Sequence, residues 1–155
     1  MSQHSNTNKP MILPSSLWAI QEEKITFFGE QATFNHVGLA CKDIRAHYPD
    51  IEIIEDPLQK VRVAFIDLHG FKIELVEPLS DKSPVSSNIK KNIKLYHMCF
   101  SVPCLEVALK CAKDNRVSLI QKPVPAIAFE NRRIAWFLHA NLGLIELVEE
   151  EKSNG

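Results

Sequence analysis

Ile73-Glu74-Leu75-Val76-Glu77 recurs in the same chain as Ile145-Glu146-Leu147-Val148-Glu149. At ordinary residue frequencies a five-residue identity of this kind arises by chance in only about 1% of chains this long. Repetition at this level sets the fold before any local propensity does. The neighbours repeat as well. Val63-Ala64-Phe65 precedes the first copy and Ile134-Ala135-Trp136 the second, with Arg62 and Arg133 one step earlier. Further upstream, Phe34-Asn35-His36-Val37 matches Leu95-Tyr96-His97-Met98. Each half opens with an apolar strand carrying one histidine and closes with one carrying a glutamate.

Working outward, the pattern predicts two modules, about 33–79 and 94–149. In the first, Phe34 to Cys41 reads as a strand, and Lys42 to Tyr48 as a helix that Pro49 stops early. Ile51 to Ile54 reads as a short strand. Val61 to Leu68 and Phe71 to Glu77 form a hairpin about His69-Gly70. Ser80 to Asn92 reads as a polar linker. In the second module Lys94 to Val102 is a strand, and Pro103 opens a helix. Leu105, Ala108, Leu109 and Ala112 give that helix an apolar stripe. Val117 to Gln121 is a strand, Lys122 to Asn131 a loop with two prolines, and Arg132–Leu138 with Leu142–Val148 the closing hairpin. The order strand, helix, strand, strand, strand in each module is an α+β architecture with a mostly antiparallel sheet. The open face of such a sheet needs a cover, and two copies can cover each other.

Residues 1–30 belong to neither repeat and read as an N-terminal arm. Its start reads as a polar tail and Ser16 to Lys24 as a short helix; a mobile arm is one reading, and docking on a dimer partner is the functional one. Residues 151–155 are a charged tail, which leaves 31–150 as a single domain. The chain has 155 residues, 45% of them hydrophobic, a net charge of -1 and a pI near 6.6. That balance offers no electrostatic footprint for nucleic acid or an anionic membrane. No apolar run approaches the ~20 residues of a transmembrane helix, and the polar start lacks the layout of a secretory signal. A cytoplasmic location is expected. Cys41, Cys99, Cys104 and Cys111 show no paired spacing and are expected to be reduced structural residues.

Strand alternation places His36 with Gly38 and Ala40, and His97 with Cys99 and Ser101, on faces of small side chains. The large apolar residues point to the helix layer. A carboxylate between isoleucine and leucine is costly unless it is paired or bound to metal, and Glu74 and Glu146 occupy that setting twice. Two imidazoles and two carboxylates make a mixed nitrogen and oxygen set suited to Zn, Ni, Co, Fe or Mn. Such a set leaves room for water or substrate oxygen, as catalytic sites do. Glu77 and Glu149, one step on, read as solvated charges. His47, His69 and His139 lie in turns.

With these features the sequence resembles the vicinal oxygen chelate superfamily, which includes glyoxalase I, extradiol dioxygenases, bleomycin-resistance proteins and methylmalonyl-CoA epimerase. The resemblance runs from Phe34 to Glu149. It implies paired βαβββ modules, a cup-shaped sheet and one divalent metal (Zn, Ni, Co or Mn) held by His36, Glu74, His97 and Glu146. Val61–Phe65, Lys72–Leu79, Asp81–Val85 and His97–Val102 look most like methylmalonyl-CoA epimerases. Two regions depart from them: the first helix is shorter, and Ala126–Asn131 replaces a glycine-containing loop.

The resemblance implies proton transfer alpha to a carbonyl, of an epimerase or glyoxalase type. Glu146 is then the first candidate base and Glu74 the candidate on the opposite side. The expected partners are a small-molecule substrate, an acyl-CoA by the resemblance, and a second copy of the chain in a homodimer. The alternatives are a non-catalytic, resistance-type binding protein and an extradiol-type dioxygenase, the latter opposed by the fourth ligand, Glu74.

Overall fold

The computed structural model describes residues 23–151. The proposed helix Ser16–Lys24 and the polar tail fall almost wholly outside the described residues. The first module comprises β1 (Thr33–Ala40), α1 (Ile44–His47), β2 (Ile54–Asp56), β3 (Val61–Leu68) and β4 (Phe71–Pro78). After α2 (Ser86–Lys90) the second comprises β5 (Leu95–Val102), α3 (Leu105–Asp114), β6 (Ser118–Pro125), β7 (Arg133–His139) and β8 (Gly143–Glu149). No helix among the described residues is long and apolar enough to cross a membrane.

The modules join edge to edge rather than covering each other face to face. All strands form one eight-stranded sheet in the order β2-β3-β4-β1-β5-β8-β7-β6. β1 and β5 meet antiparallel at the centre. Each is flanked by the last strand of its own module in parallel, β4 beside β1 and β8 beside β5. The sheet is therefore mixed, and it curls into a cup. The apolar stripe of α3 explains its packing: Leu105, Ala108 and Ala112 are buried with Val102, Phe137, Ile145 and Leu147.

Several boundaries differ from the sequence reading, each for a local reason. Ile51 and Ile53 are not in a strand. They pack beside Ile44 and Leu75, and ladder pairing with β3 begins only at Ile54. β6 runs through both prolines of the expected loop. It is an edge strand with two register shifts, where a missing N–H costs no ladder bond. The polar linker contains α2 and a fully buried Val85. Phe28, from the end of the arm, is buried against Phe100 and Phe137.

Glu77 and Glu149 are not solvated charges. Glu77 accepts a hydrogen bond from the Ile44 backbone N–H at 2.8 Å and pairs with Arg62 at 3.0 Å. Glu149 accepts from the Leu105 N–H at 3.2 Å and pairs with Arg133 at 2.6 Å. Ile44 and Leu105 are the first residues of α1 and α3. In both modules one carboxylate thus satisfies an orphan donor at the helix start, and an arginine from the neighbouring strand holds it. This accounts for the final glutamate of the repeated pentapeptide and for the repeated arginine. The Arg133 guanidinium holds the Glu149 carboxyl below its usual pKa range.

Candidate functional site

The sheet registers bring the four repeated side chains together. Across the central seam His36 faces Cys99 and Gly38 faces His97. In parallel register Gly38 sits beside Glu74 and Cys99 beside Glu146. The residue two positions after each histidine is therefore the neighbour of both the other histidine and its own module's glutamate. The arrangement is a local two-fold, and it places four side chains over one point of the concave face. All four are buried.

The separations decide what the cluster can hold. His36 Nε2 lies 3.1 Å from His97 Nε2. It lies 3.4 Å from Glu74 Oε2 and 3.6 Å from Glu146 Oε2. His97 Nε2 lies 3.3 Å from each of those oxygens. These five separations are those of a tetrahedron whose centre lies about 2.0 Å from each corner, the Zn–N and Zn–O bond length, and the four donor atoms all lie within 4.8 Å of one another. Glu146 Oε2 and His97 Nδ1 are buried with no hydrogen-bond partner among the described residues. Two imidazole nitrogens at 3.1 Å, facing two carboxylates in a buried site, require a proton or a cation between them. The donor set fits a divalent metal.

Protonation follows the same logic. Burial pushes the Glu146 carboxyl up to about 7, with His36 and a Cys99 hydrogen bond partly offsetting the shift. Burial lowers His97, with Glu74 opposing the change, which favours the neutral, ligating imidazole. Burial beside Glu146 and Glu74 raises Cys99 well above its usual range, so it stays a thiol. Among the described residues all four cysteines are unpaired.

Asn35 was missed by the sequence reading. A register shift between Phe34 and His36 breaks the strict strand alternation here. As a result Asn35 Oδ1 lies 2.9 Å from His36 Nδ1, while its Nδ2 donates to Ser101 Oγ at 2.7 Å. The carboxamide fixes the proton on Nδ1 and leaves the Nε2 lone pair facing the cluster. Partners of this kind typically contribute 10–100-fold to metal affinity. We expect Asn35→Ala to lose at least ~10-fold in a Co(II) competition titration and Asn35→Asp, which keeps the acceptor, to retain affinity. Equal affinity in wild type and Asn35→Ala would remove this role.

Above the cluster opens a cavity of about 350 Å³. Its walls are largely apolar, with Val61, Val63, Val76, Ile134, Trp136 and Leu144, and besides the cluster its polar groups include Asp56, Gln59, Asn88, Tyr96 and Gln121. No lysine or arginine lines it among the described residues. The segment Ala126–Asn131, singled out as a departure in the sequence, forms a single 3₁₀ turn over Ile127–Phe129. Phe129 stacks on the His36 ring at 5.8 Å, so this segment shapes the site floor. Arg132 lies over the Phe129 ring and does not line the cavity. Arg133 is held by Glu106 and Glu149.

Comparison with known proteins gives the family and the fold. The chain is 34% identical over 129 residues to the Bacillus subtilis protein YqjC, covering 74% of this chain and 90% of that one. It is 30% identical over 130 residues to the mitochondrial methylmalonyl-CoA epimerase of Dictyostelium discoideum, covering 75% and 77% respectively. Its fold matches that of Streptomyces coelicolor methylmalonyl-CoA epimerase in complex with 2-nitronate-propionyl-CoA. There the TM-score is 0.62 and the identity 22%, with 77% of this chain and 97% of that chain covered. Residues 35–136 match the family model, and the chain belongs to the glyoxalase/bleomycin resistance protein/dioxygenase superfamily.

Proposed function

We propose that the chain is a metal-dependent epimerase-type enzyme, which moves a proton alpha to the carbonyl of an acyl-CoA. The observation that carries this reading is the buried His36–Glu74–His97–Glu146 cluster at the floor of an apolar cavity. Its support is the likeness to methylmalonyl-CoA epimerases. The four side chains would hold the ion, one of Zn, Ni, Co or Mn. When bound, such an ion supplies Lewis-acid stabilisation of developing negative charge on substrate oxygen.

The protein's own groups perform the rest. Glu146, a carboxylate that lines the cavity beside His97, is the general base that takes the proton from carbon. The C–H electron pair passes into the acyl oxygen as an enolate. Glu74, protonated on the opposite face, gives its proton to that carbon and inverts the centre, leaving Glu146 protonated and Glu74 as the carboxylate. The apolar walls exclude water from the enolate. Among the described residues no lysine or arginine lines the cavity, and we place the nucleotide end of a CoA ester outside it. A cytoplasmic homodimer is the form in which we place this activity.

The test is solvent exchange. Metal-reconstituted protein incubated in D₂O with methylmalonyl-CoA should place deuterium on the carbon between the two carbonyls, read by mass spectrometry. One divalent ion per chain should be bound near neutral pH and released on acidification, because ligands must be deprotonated to bind. Metal-bound protein that incorporates no more deuterium than metal-free protein would sink the epimerase reading. Protein that binds none of the four metals at micromolar concentration would favour the resistance-type binding role.

A further inference from the structure

One polar group at the cavity breaks the internal symmetry. Trp136 in β7 occupies the repeat position of Phe65 in β3, and each lies next to its module's glutamate, Phe65 beside Glu74 and Trp136 beside Glu146. Each ring also meets a histidine edge-to-face, Phe65 on His36 at 5.8 Å and Trp136 on His97 at 4.9 Å. Only Trp136 carries an N–H. That Nε1 donates to Gln59 Oε1 at 3.2 Å, across from the other module. An indole N–H is a donor only, so the carboxamide must turn its oxygen to the indole. Its NH₂ group is thereby fixed the other way. Gln59 Nε2 is buried and has no hydrogen-bond partner among the described residues, while the residue lines the cavity with His97, Trp136 and Glu146.

The turn that carries Gln59 is itself held. The Asp56 carboxylate accepts from the Gln59 backbone N–H at 3.0 Å and, with its other oxygen, from the Ile127 N–H at 3.2 Å. One lip of the cup is thus tied to the other. A buried donor left unpaired costs free energy comparable to a lost hydrogen bond. Here the orphan belongs to a residue that lines the cavity and is oriented by a partner that the other module lacks.

We infer that Gln59 is a substrate-binding residue whose Nε2 donates a hydrogen bond to a carbonyl, carboxylate or nitronate oxygen of the ligand in the cavity. The inference rests on the acyl-substrate reading above and adds its specificity element. Gln59 fixes how the acyl oxygens lie against Glu146, and Trp136 positions Gln59. A substrate without an oxygen on that side would leave the donor unpaired and bind weakly.

The test uses the Co(II)-loaded full chain titrated calorimetrically with 2-nitronate-propionyl-CoA. Gln59→Leu, of similar volume but without donors, should bind Co(II) like wild type and the nitronate ligand at least tenfold more weakly. Gln59→Glu, an acceptor only, should lose at least as much. Trp136→Phe keeps the amide but frees it to rotate, and should lose less than Gln59→Leu. A clamp with no ligand role would lower the melting temperature in Gln59→Leu and Trp136→Phe alike and leave ligand affinity within twofold of wild type; that result overturns the inference. Wild type that fails to bind the nitronate ligand instead sinks the acyl-CoA reading. The same variants are then titrated with oxalate, where a tenfold loss in Gln59→Leu supports the donor role, and equal binding, or no binding by wild type, ends it.

Discussion

Glu146→Gln lowers solvent exchange at the substrate's alpha carbon by at least ~100-fold, the usual contribution of a positioned general base, while the fold survives. Gln keeps the shape and one ligating oxygen but takes no proton at neutral pH. Loss of the ion would slow exchange by another route, so metal content is measured beside the rate. Retained metal with turnover within a few-fold of wild type would leave Glu146 as a ligand only and make Glu74→Gln the variant to examine. The same substitution has a second consequence, visible without substrate. The folded pKa of Glu146 is raised from 4.5 to about 7, so its contribution is fully present below pH 4.5 and is lost as pH rises through about 7. At pH 8 the metal-free wild type buries a charged carboxylate, which costs about 3 kcal/mol at 1.36 kcal/mol per unit. Metal-free Glu146→Gln should therefore be the more stable protein at pH 8, and the advantage should fade by pH 4.5. Thermal melts at the two pH values report it, and an advantage independent of pH would contradict the burial argument.

Gly38→Ala displaces His97. A Cβ at Gly38 would stand 2.1 Å from His97 Cε1 and 2.2 Å from its Nδ1. Gly38 is held by pairing with Glu74 on one side and His97 on the other, so the backbone cannot retreat, and the ring must leave. Overpacking of this kind typically costs about 1–3 kcal/mol, or roughly 2–12 °C in melting temperature for a domain of this size. With one of four ligands gone, metal affinity should fall by ~100-fold or more, beyond the 10–100-fold typical of losing an outer partner. Chelator competition and melting curves on the same sample decide it. Wild-type metal affinity in Gly38→Ala would show that His97 is not held against this strand.

The sequence by itself determined the α+β class, and its repeat singled out His36, Glu74, His97 and Glu146, whose side chains the structure brings together. It could do so because a repeated module must bury the same face twice, and a carboxylate inside an apolar strand demands an explanation wherever it stands. Strand alternation also gave the small residues beside each histidine. Tertiary structure alone decided the rest, because the remaining features depend on what lies across a gap in sequence. Glu77 and Glu149 look solvated until α1 and α3 bring backbone N–H groups to them. Asn35 reaches His36 only because a register shift interrupts the alternation that the sequence pattern assumes. β6 passes through two prolines because an edge strand needs no donor on its outer side. The modules join along β1 and β5, not face to face, because each has a free strand edge there to pair. Gly38 matters through the ring that packs on it, and Gln59 through an indole 77 residues away; neither partner is written in its local sequence.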